Sequence, residues 1–395
     1  MLKKKVLVFT GNRAEYGLQY PIIKSLNNSK KIDCQLIVSG SHLDKRFGET
    51  FLQIKKDNFK IASKIKLFDK YNSRLKTPSL IGQAILKISK SLFKLKPDIF
   101  LVNADRFETF AAAIASSQLG IPTFHIEGGD ITEGGALDDN IRHAISKLSH
   151  IHFVTNKLSF RNLVAQGEEK KRVHNVGLPI NDTIYSIQYL TLNYLKKKFN
   201  LDQKKTLLIL TYHPVTTQPE LAQKQTQIIL KSISYFIKKY DFRVIATYPN
   251  NDVGCDAIIK ELKNFNNKNQ NFSLHKSLGS YEYHSLMNLS RKMKIIIIGN
   301  SSSGIKEAVA FKCPVVNIGS RQNGRLKPKN VFDVNCERKK IIKKIQQIAF
   351  AKNLKTQLSK IKNPYYQKNT GKKITKIIES LILNDKIIRK KYNFN

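Results

Sequence analysis

Short unbroken apolar runs alternate with longer stretches of helical period along almost the whole chain. In the first half, "KVLVFT", "CQLIVS", "DIFLVN", "PTFHIE" and "HIHFVT" read as strands, with amphipathic helices such as "QYPIIKSLNN" and "ETFAAAIASSQLG" between them. A strand with no polar alternation has both faces covered, which is the condition of a parallel sheet wrapped by helices. After "NVGLPINDTI" the pattern restarts with "TLLILTYH", "FRVIATYP", "NFSLHKSL", "KIIIIGN" and "PVVNIGS". The pattern predicts an α/β protein of two doubly wound, Rossmann-like domains facing across a cleft. The turn Gly177 to Asn181 divides them into residues 1–180 and 181–365. Residues 366–395 contain "KNTGKKITKIIESLILNDK", which reads as a terminal amphipathic helix packing back on the first domain.

Composition narrows the setting. A chain of 395 residues, 41% hydrophobic and 25% charged, is long enough for two cores and has no apolar run that spans a bilayer. The start "MLKKKVLVFTGN" has a basic end and an apolar run, but that run is short and ends in a Gly turn, so it reads as a buried strand, not a leader. Cys34, Cys255, Cys313 and Cys336 lie far apart, with no CxxC spacing and no His cluster beside them. That pattern predicts no disulfide framework, no zinc site and a cytoplasmic location. The formal charge of +40 invites a nucleic-acid partner. However, the positive residues are mostly Lys scattered through helices beside Ile and Asn, without a basic-aromatic stripe, so neither nucleic acid nor membrane is expected as a partner. The positive field does suit an anionic substrate.

Against this basic background, "HIEGGDITEGGALDDNIRH" places Glu127, Asp130, Glu133, Asp138 and Asp139 close together, with no Lys or Arg before Arg142. Other polar residues follow strands: Arg13 in "GNRAEYG", Asp105 and Arg106 in "NADRFE", His213 after "LLILTY", and "GNSSSGIKE" after "KIIII". An Asp or Ser at a strand end commonly caps the next helix. All of these at the carboxyl edges of two parallel sheets point instead to ligand binding, because that edge is where such sheets hold ligands.

"GNRAEYG", "NADRFE", "HIEGGDITEGGALDDNIRHAISKLSHIHF", "TYHPVT", "GNSSSGIKEA" and "NIGSRQNGR" together resemble the hydrolysing UDP-N-acetylglucosamine 2-epimerases, which start the synthesis of sialic-acid-type sugars. The likeness is collinear from Lys3 to the C-terminal helix, and the acidic loop with "IRHAISKLSH" is its most specific part. It implies a fold of the GT-B type, a UDP-sugar substrate, no cofactor, and a homodimer or homotetramer. It also assigns the catalytic carboxylates to the first domain and UDP to the second. By motif register it implies catalytic roles for Asp105, Glu127 and one of Asp138 and Asp139, with Asp139 favoured, together with His213. Arg13, Arg106, His213 and Arg321 are then candidates for the diphosphate, Ser301 and Ser302 for hydroxyl contacts at a helix start, and Glu307 for the ribose. His143, His150 and His152 stand near the acid island, but their spacing fits no metal motif, and a packed or surface role is expected.

Carboxylates suit the implied reaction. As the UDP oxygen leaves carbon 1, positive charge develops on the ring. Loss of the carbon 2 proton gives a glycal, which water converts to the free epimeric sugar. Two departures from the family pattern stand out: Asn12 where Thr or Ser is frequent, and "NPYYQK" where a glycine-containing "NPYGDG" segment is common. The non-hydrolysing branch carries "TERPE" where this chain has "GSRQNGR", and "HRREN" where it has "YHPVT", so hydrolysis is favoured. A GT-B glycosyltransferase has no need of the acid cluster, and a non-catalytic nucleotide-sugar sensor none of its convergence. UDP-N,N'-diacetylbacillosamine, of the legionaminic acid route, is the alternative substrate.

Overall fold

The apolar runs in the middle of each sheet become strands because both of their faces have a dry place to go. The computed structural model describes residues 3–45, 48–68, 75–132, 137–250 and 252–393. Its first sheet contains β1 (Lys4–Thr10), β2 (Ile32–Ser39), β3 (Ile61–Ile65), β4 (Ile99–Asn103), β5 (Thr123–Ile126), β6 (Ile151–Val154) and β7 (Val173–Asn175). All are parallel, in the order β3-β2-β1-β4-β5-β6-β7. Val6, Leu7, Val8 and Phe9 are wholly buried. Val6 and Val8 pack with Ile22, Ile23 and Leu26 of the helix Arg13–Asn27 on one side. Leu7 and Phe9 pack with Ala84, Ile88 and Leu92 of the helix Lys76–Leu95 on the other. Burying each such side chain contributes about 1.5–3 kcal/mol. A charge at Leu7 would be stranded between sheet and helix.

The second sheet contains β8 (Leu207–Thr211), β9 (Arg243–Thr247), β10 (Phe272–His275), β11 (Ile295–Gly299), β12 (Val315–Ile318) and β13 (Val331–Val334), again parallel, in the order β10-β9-β8-β11-β12-β13. Gly299 closes β11 at φ 125°, and a Cβ there would lie 2.0 Å from the Thr211 carbonyl oxygen, so only glycine fits. Three strands that the apolar runs do not announce, β3, β7 and β13, all lie at sheet edges. Among the described residues, no helix is long and apolar enough to cross a membrane.

The chain forms two compact units: Met1–Asp130, Asp138–Tyr185 and Tyr365–Asn395 in one, Ile131–Leu137 and Ser186–Pro364 in the other. The handover falls at Tyr185, five residues beyond the expected boundary at residue 180, because the helix Ile180–Ile184 packs on the helix Arg13–Asn27. Its Asp182 carboxylate also accepts the N–H groups of Thr370 and Gly371 at 3.0 and 2.8 Å, capping the helix Thr370–Ser380. The unusual "NPYYQK" segment is firmly tied. Tyr365 O accepts from Leu178 N–H at 2.8 Å, Gln367 Nε2 donates to Asn175 O at 3.0 Å, and the Tyr185 and Tyr366 rings meet at 4.4 Å. Asn369, at φ 60°, makes the left-handed turn, which a short amide side chain tolerates.

Candidate active site

In a parallel sheet whose strand order reverses, the loops leaving the two strands at the reversal diverge and open a binding crevice. The reversals lie between β1 and β4 and between β8 and β11. Arg13 follows β1, Asp105 and Arg106 follow β4, His213 follows β8, and Ser301 and Ser302 follow β11. Glu127 leaves β5, the neighbour of β4, in which Asn103 pairs with Ile126. Glu133 lies outside the described residues.

In the first unit the acids gather on Arg142, which is 1% exposed. Its guanidinium bonds the Asp105 carboxylate, donates to Asp139 Oδ1 at 2.6 Å and donates to the Asp130 carbonyl at 3.0 Å. Asp139 and Arg142 share one face of the helix Asp138–Leu148 three residues apart, so the helix brings one acid to the pair and the turn after β4 brings the other. Asp130 ties the loop down on its other side, accepting from Ser159 Oγ at 2.8 Å. Ala104 and Glu127 stand at φ 61° and 65°. Left-handed backbone costs a non-glycine residue about 1–2 kcal/mol, and it persists where surrounding bonds fix it. Ala104 N–H donates to Ile126 O at 2.9 Å and Glu127 N–H to Phe153 O at 3.0 Å. Both strained residues therefore sit at the strand ends that present acids.

A second carboxylate pair lies under the β1 turn. Asn12 caps the helix Arg13–Asn27 by accepting from Glu15 N–H at 3.0 Å, so it performs the part of the more frequent Thr or Ser. Arg13 is exposed on the first turn. Buried Glu15 accepts from Gly11 N–H at 2.7 Å and Thr109 Oγ at 3.2 Å. A Cβ on Gly11 would lie 3.3 Å from Glu15 Oε2 and 3.7 Å from Glu108 Cδ, so the two acids flank that glycine. Burial, then the charge of Glu108, pushes the Glu15 carboxyl up to about 7. Arg106 Nε stands 3.4 Å from Glu108 Oε2.

In the second unit the hub is Asn300, a buried residue directly after Gly299. Its Oδ1 accepts from His213 N–H at 2.7 Å, its Nδ2 donates to His213 O at 2.8 Å, and its carbonyl accepts from Arg321 Nη1 at 3.2 Å and Gln322 Nε2 at 2.8 Å. The Asn300 side chain thus holds the His213 backbone while its main-chain carbonyl holds Arg321. Asn250 N–H donates to His213 Nδ1 at 3.1 Å, which leaves the proton of the neutral ring on Nε2. Ser301 caps the five-residue helix Ser302–Lys306, with its Oγ 3.0 Å from Ser303 Oγ. Glu307 lies just past that helix and meets His284 Nε2 at 2.6 Å, so it is a half-buried, paired acid and not a solvated helix carboxylate.

Of the histidines near the acid island, His150 and His152 are buried and His143 is half-buried. His150 Nδ1 accepts from Thr123 N–H at 3.0 Å, and His152 Nε2 meets Glu168 Oε2 at 3.0 Å. Among the described residues no group of three His, Cys, Asp or Glu is arranged to hold a metal ion. Arg142, Glu15, Glu108 and Asn300 join the candidate site through the fold. For Arg142 a signal was present, as the lone base of the acid island three residues after Asp139.

Residues 24–379 match the model of the family described as UDP-N-acetylglucosamine 2-epimerase. The chain is 36% identical over 334 residues to the GDP/UDP-N,N'-diacetylbacillosamine 2-epimerase (hydrolyzing) of Campylobacter jejuni, covering 84% of this chain and 85% of that protein. It is 31% identical over 387 residues to the UDP-N,N'-diacetylbacillosamine 2-epimerase (hydrolyzing) of Legionella pneumophila, covering 98% of each. In shape it resembles the crystal structure of UDP-GlcNAc 2-epimerase from Neisseria meningitidis bound to UDP-GlcNAc, with a TM-score of 0.81 at 23% identity over 95% of this chain and 99% of that one. That likeness establishes the GT-B-type, two-domain α/β fold.

Proposed function

Since this chain belongs to the UDP-N-acetylglucosamine 2-epimerase family, in its hydrolysing branch, we propose that it converts UDP-N-acetylglucosamine and water to N-acetylmannosamine and UDP. The observation that carries this reading is the fastening of Asp105 and Asp139 to one buried guanidinium beside the strand end that bears Glu127. A carboxylate takes the proton from carbon 2, the bond from carbon 1 to the UDP oxygen breaks, and the electron pair becomes the double bond of the glycal. Acids held in place oppose the positive charge that builds at carbon 1 without reorganising as it forms. Water then gives its hydroxyl to carbon 1, and a proton arrives at carbon 2 from the opposite face. The second unit is assigned to the nucleotide: Arg321 to the diphosphate, His213 Nε2–H as donor to the leaving oxygen, Glu307 to the ribose, and Ser301 and Ser302 to hydroxyl contacts. Arg13 and Arg106 are the first unit's candidates for the diphosphate.

The names of the Campylobacter and Legionella relatives favour a second reading, in which the substrate is UDP-N,N'-diacetylbacillosamine and the chemistry is unchanged. Incubating the protein with each UDP-sugar and identifying the released sugar by NMR separates the two. Release of N-acetylmannosamine is expected. Release of only the diacetylated sugar selects the second reading, and return of a UDP-linked epimer from either substrate contradicts hydrolysis. Assembly into a homodimer or homotetramer belongs to the same proposal. Leu86 and Phe93, one heptad apart on the helix Lys76–Leu95, are 67% and 70% exposed, an apolar stripe that a second copy would cover. A cytoplasmic setting is supported by Cys34 and Cys313, which are buried thiols outside any disulfide.

A further inference from the structure

The elements that carry the three acids all touch one imidazole. His125, wholly buried on β5, has its Nε2 2.8 Å from the carbonyl oxygen of Ala104, the residue before Asp105. Its Nδ1 is 3.0 Å from Ser146 Oγ, on the helix that carries Asp139 and Arg142. Along its own strand it stands two residues before Glu127. We infer that His125 is a positioning residue for the reaction: a neutral imidazole protonated on Nε2 that holds the Asp105 turn, Glu127 and the Asp139–Arg142 helix in register. This rests on the function proposed above.

The proton assignment follows from the partners. A carbonyl oxygen can only accept, so the bond to Ala104 requires the hydrogen on Nε2. Nδ1 then presents a lone pair, and the Ser146 hydroxyl is the donor facing it. That hydroxyl has a competing acceptor, Arg142 O at 3.1 Å, to which it turns if the imidazole is lost. Burial pushes the His125 pKa down to about 3, against the opposing effect of the Ala104 bond; the ionisable groups around it are His152, His143 and Glu168. The packing is flush as well. A Cβ on Gly128 would lie 2.8 Å from His125 Nδ1 and 2.9 Å from Ser146 Oγ, so the chain after Glu127 passes directly over this bond. The Ala104 peptide is gripped from both sides of one strand, its N–H by Ile126 O at 2.9 Å and its carbonyl by His125. Without the imidazole, only the first grip holds the left-handed residue that aims Asp105.

Two measurements on the full-length protein test this separately from the reaction itself. With ¹⁵N-labelled histidine, NMR from pH 8 to pH 5 should show His125 neutral throughout, with a slowly exchanging proton on Nε2. A proton on Nδ1, or an imidazolium at pH 6, overturns the assignment whatever the enzyme acts on. In kinetics, His125→Phe and the milder Ser146→Ala should lower kcat for sugar release by tenfold or more while the Kd for UDP stays within twofold. Ser146→Ala deletes a single hydroxyl, so it carries the test if His125→Phe does not fold. Unchanged kcat in Ser146→Ala, or a loss matched by an equal loss of UDP affinity, contradicts a positioning role. A wild-type protein that releases no sugar from any UDP-sugar sinks the proposed reaction, and the NMR result then stands alone on the state of His125.

Discussion

Arg142 bonds Asp105, Asp139 and a carbonyl at once, and this ties the two acids to one buried cation. A buried cation deprived of one partner is costly, so the two acids cannot be displaced independently. Glu15 behaves differently, because its neighbour is another acid. Its folded pKa, about 7, lies above the unfolded value of 4.5. Below pH 4.5 the group is protonated in both states and costs nothing. As pH rises to 7 the unfolded chain releases its proton while the folded one keeps it, so the folded state loses stability through that window. Glu15→Gln removes the titration but keeps an acceptor for Gly11 N–H. Relative to wild type it should therefore gain stability between pH 5 and pH 8, by on the order of 3 kcal/mol at most, read from urea unfolding at both pH values. A difference that does not change with pH would remove Glu15 from the account.

At the scale of elements, the C-terminal tail is the piece least visible in the sequence. Beyond the helix Thr370–Ser380 it is clamped to the first unit. Arg172 donates to the carbonyls of Lys386, Ile387 and Arg389, Lys390 Nζ reaches Glu168 Oε2 at 2.8 Å, and Lys391 N–H donates to Glu169 Oε1 at 3.0 Å. Burial alone would raise both carboxyls, but Glu168 is held at about 2 by His152 and Lys390, and Glu169 at about 2 by Lys171, the Lys391 N–H and Arg172. Depressed folded pKa values mean that this stabilisation is complete above the unfolded value of 4.5 and is lost as pH falls through about 2. Hydrogen exchange, corrected for intrinsic rates, should show Lys391 and Asn393 amides protected at pH 6 and opening between pH 4 and pH 2.5. In Lys390→Met they should be open already at pH 6. Protection that persists in that variant would contradict the clamp.

The same scale shows what could be read in advance. The strands near the middle of each sheet were legible because "KVLVFT" or "KIIII" is covered on both faces and carries no polar alternation. The edge strand Val331–Val334 has only partly covered and exposed positions, so its sequence has no reason to be uniformly apolar. Asp105, Glu127 and His213 were legible because acid or imidazole directly after an apolar run is conspicuous. Glu15 and Glu108 were not, because a glutamate in the first turn of a helix looks solvated until the fold places a second acid across Gly11. The clamp by Lys390 and Lys391 was not legible, because its partners Glu168 and Glu169 lie more than two hundred residues earlier.

At the scale of the whole molecule, each unit contributes what the topology of its sheet allows. Both reversals of strand order are occupied by polar clusters of opposite character: acids on a guanidinium at the end of β4, and at the ends of β8 and β11 the His213 backbone and the Arg321 guanidinium held by Asn300. The central claim is that the acids of the first unit carry out elimination and hydration at carbons 1 and 2 of a UDP-sugar bound through the second. Running the reaction in D₂O and reading carbon 2 of the released sugar by NMR tests that claim most directly. The account predicts deuterium there, because the proton taken from one face is replaced from solvent on the other. A product that retains its original hydrogen at carbon 2 would contradict it.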